Sequence, residues 1–433
     1  MKKMFFYLFF VLLIGCKPSD FPYNPTTVPC LSKPCDGDTS ILEVVWQKPI
    51  ASDSSQCGSQ APLFFNGGVI FTKECGSGGE LVSYLNSKTG EKIWSWNNYL
   101  YSERNPGIYN GIFQINSSTF FNDDKHSVVY SVNSLNGTTN WKTQVDSGSY
   151  ISSSLAAQNG YIYNVRDFYL ADKLEKSYLM RTKFDSDMWD TVYIQQPIDK
   201  FVPDCELPSI WKNSNGDEIA LFQVRYYDFT NYKGRIDVLA YNITQKKEYF
   251  RFNDIDKSQS GTVNVPYIYG DRAYVPLART ILCLDMITKK ILWSKDFNVD
   301  QGFFTGRHPF LIANNKLYVK PEDKVLYALN PDTGDQIWVD TDNGYSSSKQ
   351  MIFYNGIIYY TSNASGKIYA IEESTGKKIW AEPSPNYFKA KYNNFRSFSG
   401  ANIGYNSLAI DTVSNLLYTE DTYFMMCLKL PKH

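Results

Sequence analysis

Three stretches of this chain repeat one hairpin, and each closes on a tryptophan. Leu81-Val82-Ser83-Tyr84-Leu85-Asn86 leads through Thr89-Gly90 to Trp94. Val325-Leu326-Tyr327-Ala328-Leu329-Asn330 leads through Thr333-Gly334 to Trp338, and Ile368-Tyr369-Ala370-Ile371-Glu372 leads through Thr375-Gly376 to Trp380. An alternating apolar run, a polar turn with Gly and a second short run make a β-hairpin. Looser copies run through Asn136-Gly137 to Trp141 and through Asp285 and Thr288 to Trp293, the latter with Lys289 in place of Gly. Around Ala240 and Asn242 the frame puts Phe250 at the Trp position, and Trp189 keeps only the spacing. The ends fall 42 to 48 residues apart, with one longer gap before Phe250, which is the period of a propeller blade.

A second pair of strand-like runs precedes each hairpin, as at 62–72, 310–319 and 351–361. Asn355-Gly356 in the last is the dipeptide that favours a tight hairpin turn. Two hairpins per repeat give a four-stranded blade. Seven segments end at Trp94, Trp141, Trp189, Phe250, Trp293, Trp338 and Trp380, and strands around 403–410, 416–419 and 424–430 follow without a Trp. The missing strand lies at the other end of the chain, in Glu43-Val44-Val45-Trp46-Gln47. Pairing 44–49 with 424–430 completes a last blade and leaves no open sheet edge in the ring. The predicted fold is therefore all-β, an eight-bladed β-propeller of four-stranded antiparallel blades closed by an N-terminal strand.

The frame Ala-x-Asp/Asn-x-x-Thr-Gly-x-x-x-Trp resembles the repeat of the quinoprotein-type, or PQQ-like, propellers, over nearly all of residues 41–433. The resemblance implies that Trp46, Trp94, Trp141, Trp189, Phe250, Trp293, Trp338 and Trp380 pack between neighbouring blades. It likewise makes Gly90, Gly137, Gly334 and Gly376 tight-turn residues. A large ring buried between sheets supplies much of their contact, and Gly tolerates backbone angles closed to other residues.

The N-terminus reads as a processing signal. Lys2-Lys3 precede an uncharged apolar run from Met4 to Ile14, shorter than the roughly 20 residues a membrane span needs, and Gly15-Cys16 follows. This order resembles a bacterial lipoprotein signal. It implies a signal peptide over 1–15, lipid attachment at Cys16 and a flexible Pro/Ser/Asp/Gly-rich linker over 16–40. Lys17, rather than Asp, is consistent with the outer membrane in the sorting rule of that class. Cys30 with Cys35, or Cys57 with Cys75, are candidate disulfides in an oxidising compartment, while removal of Cys16 from eight cysteines leaves an odd number with Cys205, Cys283 and Cys427. The formal net charge of −1 lacks the basic excess of a nucleic-acid binder.

Signatures of chemistry are missing from the sequence. Alcohol-oxidising quinoproteins show an adjacent Cys-Cys pair, and no two cysteines here are adjacent. No Cys-x-x-Cys-His haem site, phosphate loop or nucleophile elbow occurs. His126, His308 and His433 are too scattered for a His-rich metal site. Asp123-Asp124 and Glu372-Glu373 read as solvated turns before calcium ligands. No catalytic, cofactor-binding or metal-binding residue is assigned, and no cofactor is expected.

Recognition is then expected in loops. Tyr226, Tyr227, Phe229 and Tyr232 lie in an insertion in the fourth blade, Tyr387, Phe388, Tyr392, Phe395 and Arg396 in the link from the seventh to the eighth, and Tyr99-Leu100-Tyr101 before the second. Tyr, Phe and Arg are common at interface hot spots, and exposed rings also stack on sugars. A propeller on a lipid anchor is similar to the scaffold lipoproteins of outer-membrane protein assembly. That resemblance implies a monomeric, non-catalytic scaffold for a protein partner, held to the bacterial envelope by its lipid, with the periplasmic or surface face open. A glycan- or ligand-binding envelope lipoprotein is the alternative, and a PQQ-dependent dehydrogenase the remote one.

Overall fold

The computed structural model describes residues 41–49, 62–72, 82–96, 109–115, 117–123, 127–144, 149–151, 155–170, 173–199, 201–228, 233–256, 264–297, 310–321, 325–341, 351–362, 367–385, 408–420 and 424–431. These residues form eight antiparallel sheets, each with four strand positions. Blades 1 to 7 occupy 63–96, 109–144, 149–195, 202–256, 267–296, 310–340 and 352–383. Blade 8 joins Ala409–Asp411, Leu416–Glu420 and Phe424–Lys429 to Glu43–Pro49 from the start of the body. Glu43 pairs with Lys429, Trp46 with Cys427 and Pro49 with Phe424, so the predicted closure forms.

Eight apolar clusters show why the sheets form a ring. Each cluster draws on two consecutive blades. Trp94 and Val82 of blade 1 meet Phe121 and Tyr130 of blade 2. Trp46 and Tyr418 of blade 8 meet Val69 and Phe71 of blade 1, which closes the circuit. A sandwiched blade buries both faces of its inner strands, so Ile357–Ser362 is buried at every residue rather than alternating. The fourth strands form the outer rim, and Thr139–Gln144 and Lys290–Asp296 alternate exposed with half-buried residues. That rim presents Ile93, Leu292, Ile337 and Ile379, each one residue before a Trp, to solvent.

The first strand of blades 3 and 4 is broken in two, into Ser149–Ile151 and Ala156–Gln158, and into Val202–Cys205 and Ser209–Lys212. Their middle hairpins are also long: Tyr161–Leu170 with Lys173–Lys183, and Glu218–Asp228 with Lys233–Asn242. This explains the long gap before Phe250. Asn355 and Gly356 both take positive φ, 52° and 76°, as the predicted tight turn requires.

Candidate interaction surface on blades 3 and 4

The regular seams set the standard against which blades 3 and 4 differ. The Trp of one blade packs on the turn between the third and fourth strands of the next. Ideal Cβ atoms at Gly90, Gly137, Gly334 and Gly376 would lie 2.5 to 2.8 Å from Trp46, Trp94, Trp293 and Trp338 respectively. Each of these glycines has a φ between +67° and +75°. The indole N–H then donates into the same turn: Trp46 to Ser87 O at 2.7 Å, Trp94 to Ser134 O at 2.8 Å, Trp293 to Pro331 O at 3.1 Å and Trp338 to Glu373 O at 3.1 Å. Trp141 reaches Phe184 O of blade 3 at 3.3 Å. Trp380 is buried between blades 7 and 8, and its N–H has no acceptor among the described residues.

Two seams change both partners at once. In blade 4 Phe250 pairs with Ala240 at the Trp register, and the facing turn of blade 5 carries Lys289 at φ 59°. In blade 3 the register position pairs Tyr193 with Leu179, and the facing turn of blade 4 carries Lys246 at φ 53°. Trp189, expected there from its spacing, instead precedes the strand Asp190–Gln195. Its ring packs towards blade 2, with the Arg166 guanidinium 4.8 Å from its centroid. A smaller ring leaves room for a Cβ in the facing turn, so Gly is no longer required. Lys289 uses that room, its ammonium lying 3.8 Å from the Tyr249 centroid.

Arg251 substitutes polar contacts for the lost indole between blades 3 and 4. It donates to Tyr193 Oη of blade 3 at 2.9 Å and, within blade 4, to Tyr226 Oη at 3.3 Å, Asp237 Oδ2 at 3.0 Å and Glu248 Oε2 at 3.0 Å. Tyr226 therefore belongs to the core rather than to a binding loop. It is fully buried, the Arg235 guanidinium lies 4.7 Å from its ring, and burial pushes its phenol up to about 12. Tyr226 to Asp228 continue a paired strand instead of interrupting the blade, and Tyr227, opposite Gly234 and Val202, is half-buried. Phe229, Tyr232, Tyr387, Phe388, Tyr392, Phe395 and Arg396 lie outside the described residues, as do Tyr99 to Tyr101, Cys16, the four candidate disulfide cysteines and all three histidines.

The rings that do stand out on these blades were not singled out by sequence. Tyr150 and Tyr169 are 53% and 36% exposed and meet edge-to-face at 5.6 Å. They sit on ordinary-looking strand residues, and only the pairing of Ser149–Ile151 with Arg166–Phe168 brings them together.

Glu373 corrects the reading of its acidic pair as a solvated turn. It is buried in the seam between blades 6 and 7, where Lys316 Nζ donates at 2.7 Å, Asn314 Nδ2 at 3.1 Å and the Tyr318 hydroxyl donates as well. Burial alone would raise its carboxyl, but these three donors outweigh it and hold the group below its ordinary value. Cys205, Cys283 and Cys427 are buried free thiols in three different seams. Among the described residues no three His, Cys, Asp or Glu side chains come together as a metal site.

Eight four-stranded blades, the Trp-on-turn seams and a last blade completed by Glu43–Pro49 make an eight-bladed β-propeller that resembles the PQQ-like propellers. Residues 230–404 match the family described as outer membrane protein assembly factor BamB. The fold is similar to that of BamB from Moraxella catarrhalis, at 12% identity and a TM-score of 0.56, over 90% of this chain and 100% of that one. It is also similar to a europium-containing methanol dehydrogenase, at 11% identity and a TM-score of 0.60 over 88% and 85% of the two chains. A quinohemoprotein alcohol dehydrogenase from Comamonas testosteroni aligns at 10% identity and a TM-score of 0.58, over 90% and 78%. No curated protein sequence matches the chain.

Proposed function

We propose that this chain is a non-catalytic propeller scaffold of the bacterial cell envelope, anchored through a lipid on Cys16 and serving outer-membrane protein assembly. The match of residues 230–404 to the BamB family carries this reading, since that stretch runs from the middle of blade 4 through blade 7. The shape of blades 3 and 4 supports it. Their long hairpins and the exposed Tyr150 and Tyr169 break the rotational repeat on one part of the disc, where a partner would find a unique surface.

The test is crosslinking in intact cells of the full chain, followed by identification of what co-purifies from membranes. Enrichment of a β-barrel assembly component is the expected result, and a Cys16→Ala chain should leave the membrane fraction. Capture of no envelope protein, together with dye-linked alcohol oxidation after loading with PQQ and calcium, would replace the scaffold with a dehydrogenase.

A further inference from the structure

The change of partners between blades 3 and 4 has a spatial result. With Tyr193 in place of an indole and Lys246 in place of a glycine, a cleft of about 650 Å³ opens on this seam. Its walls include Arg181, Asp190, Thr191, Tyr193, Tyr241 and Lys246. That volume lies in the range of about 300–1,000 Å³ usual for small-molecule sites. In the neighbouring seam with the same type of change the Lys289 ammonium lies 3.8 Å from the Tyr249 centroid, whereas Lys246 has no side-chain partner among the described residues.

The groups around the cleft narrow what it can hold. Tyr193 and Tyr241 form one wall, their centroids 5.1 Å apart at 58°. Arg181 is already neutralised, its guanidinium 3.1 Å from Glu218 Oε2 and 4.3 Å from the Tyr161 centroid. Asp190, like Lys246, has no side-chain partner among the described residues. One free carboxylate and one free ammonium cancel, so the site selects neither an anion nor a cation. It offers an acceptor, a donor, an aromatic wall and the Thr191 hydroxyl oxygen, which can accept while its proton goes to Met180 Sδ at 3.4 Å. That combination suits an uncharged ligand with one apolar face and a rim of hydroxyls.

We infer that the seam between blades 3 and 4 is a binding site for a neutral saccharide of one or two rings, stacked on Tyr193 and Tyr241 and hydrogen-bonded by Asp190 and Lys246. This inference stands apart from the scaffold reading and survives or fails without it.

The test is calorimetric titration of the full chain with maltose, cellobiose and inorganic phosphate. Saturable binding of either disaccharide is expected, with a rise in the thermal midpoint. The double substitution Tyr193→Trp with Lys246→Gly rebuilds the ordinary Trp-on-glycine seam and should weaken binding by at least about tenfold. Because that variant also removes a hydroxyl held by Arg251, the exposed Asp190→Ala is the second probe, with a similar loss expected and an unchanged midpoint without ligand. Three results would overturn the assignment: no binding of either sugar, binding untouched by both variants, or phosphate binding in competition with the sugars.

Discussion

Trp46, on the strand that precedes every complete blade, presses its indole onto Gly90 of blade 1, and a Cβ at Gly90 would stand 2.7 Å from its Cδ2. The contact joins the last blade to the first, so it closes the ring as well as filling a seam. Gly90 also sits at φ +67°, a left-handed conformation that costs other residues roughly 1–2 kcal/mol. Gly90→Ala should therefore lose about 2–4 kcal/mol, the backbone cost plus the displacement of a packed ring. Gly160→Ala is the control, since Gly160 has φ +85° with open space around its Cβ direction. Urea unfolding of both variants measures the difference, and equal losses would mean that the indole yields freely.

The buried carboxylate between blades 6 and 7 predicts an acid-sensitive seam. The folded protein holds Glu373 below its ordinary value through Lys316, Tyr318 and Asn314, against the opposing effect of burial. A group depressed in the folded state contributes stability that is complete above its unfolded value and fades as pH falls through the folded one. Glu373→Gln should cost about 1–3 kcal/mol at pH 7, where it leaves the Lys316 ammonium unpaired. As pH drops below the normal carboxylate range, the wild-type protein should lose this advantage and the two urea midpoints converge. Parallel midpoints from pH 7 to pH 3 would sink the prediction.

The number of blades and the strand exchange were legible in sequence because they rest on local signals: a hairpin, a turn glycine and a ring at fixed spacing. Lys289 and Phe250 were also visible as departures. What sequence order hides is that they face each other, because each ring answers to the turn of the next blade rather than its own. Pairing Tyr193 with Lys246 in the same way would have exposed the altered seam and shown that Trp189 holds only the spacing. Tyr226 misleads for a different reason. A cluster of aromatics inside a lengthened repeat looks like a loop, yet its strand pairing continues to Asp228 opposite Lys233, and its ring is fully buried. Glu373 reads as solvent-facing until the donors of blade 6 are set against it.

Arg251 should prove the least replaceable side chain of the altered seam. It is 15% exposed and ties Tyr193 to Tyr226, Asp237 and Glu248. Burial works against its charge, but these partners outweigh it and raise its pKa. Arg251→Lys keeps the charge but lacks the planar fork that reaches several acceptors at once. We expect Arg251→Ala to lose about 2–3 kcal/mol, on the scale of hydrogen bonds to charged groups, and Arg251→Lys to recover less than half. Thermal unfolding of both variants decides it, and full recovery by Lys would assign the effect to charge alone.

The three described thiols offer a readout of seam opening without any substitution. Burial pushes Cys283 and Cys427 up to about 12, and it raises Cys205 as well. The thiolate is the reactive form, so at pH 8 a group near 12 carries roughly a thousandfold less of it than an ordinary cysteine. Iodoacetamide labelling mapped by peptide mass should therefore leave all three unmodified in the native protein and modify all three in urea. The order in which they become reactive at intermediate urea reports which seam opens first. Cys205 lies between blades 3 and 4, where Tyr193, Lys246 and Arg251 replace the Trp-on-glycine contact. Cys283 lies between blades 5 and 6, where Trp293 packs on the turn of Gly334. Earlier labelling of Cys205 than of Cys283 is the expected order, because the altered seam has the larger cleft, about 650 Å³ against about 380 Å³, and only the regular one has a docked indole. The reverse order would show that the Arg251 network holds its seam more firmly than the indole holds the other.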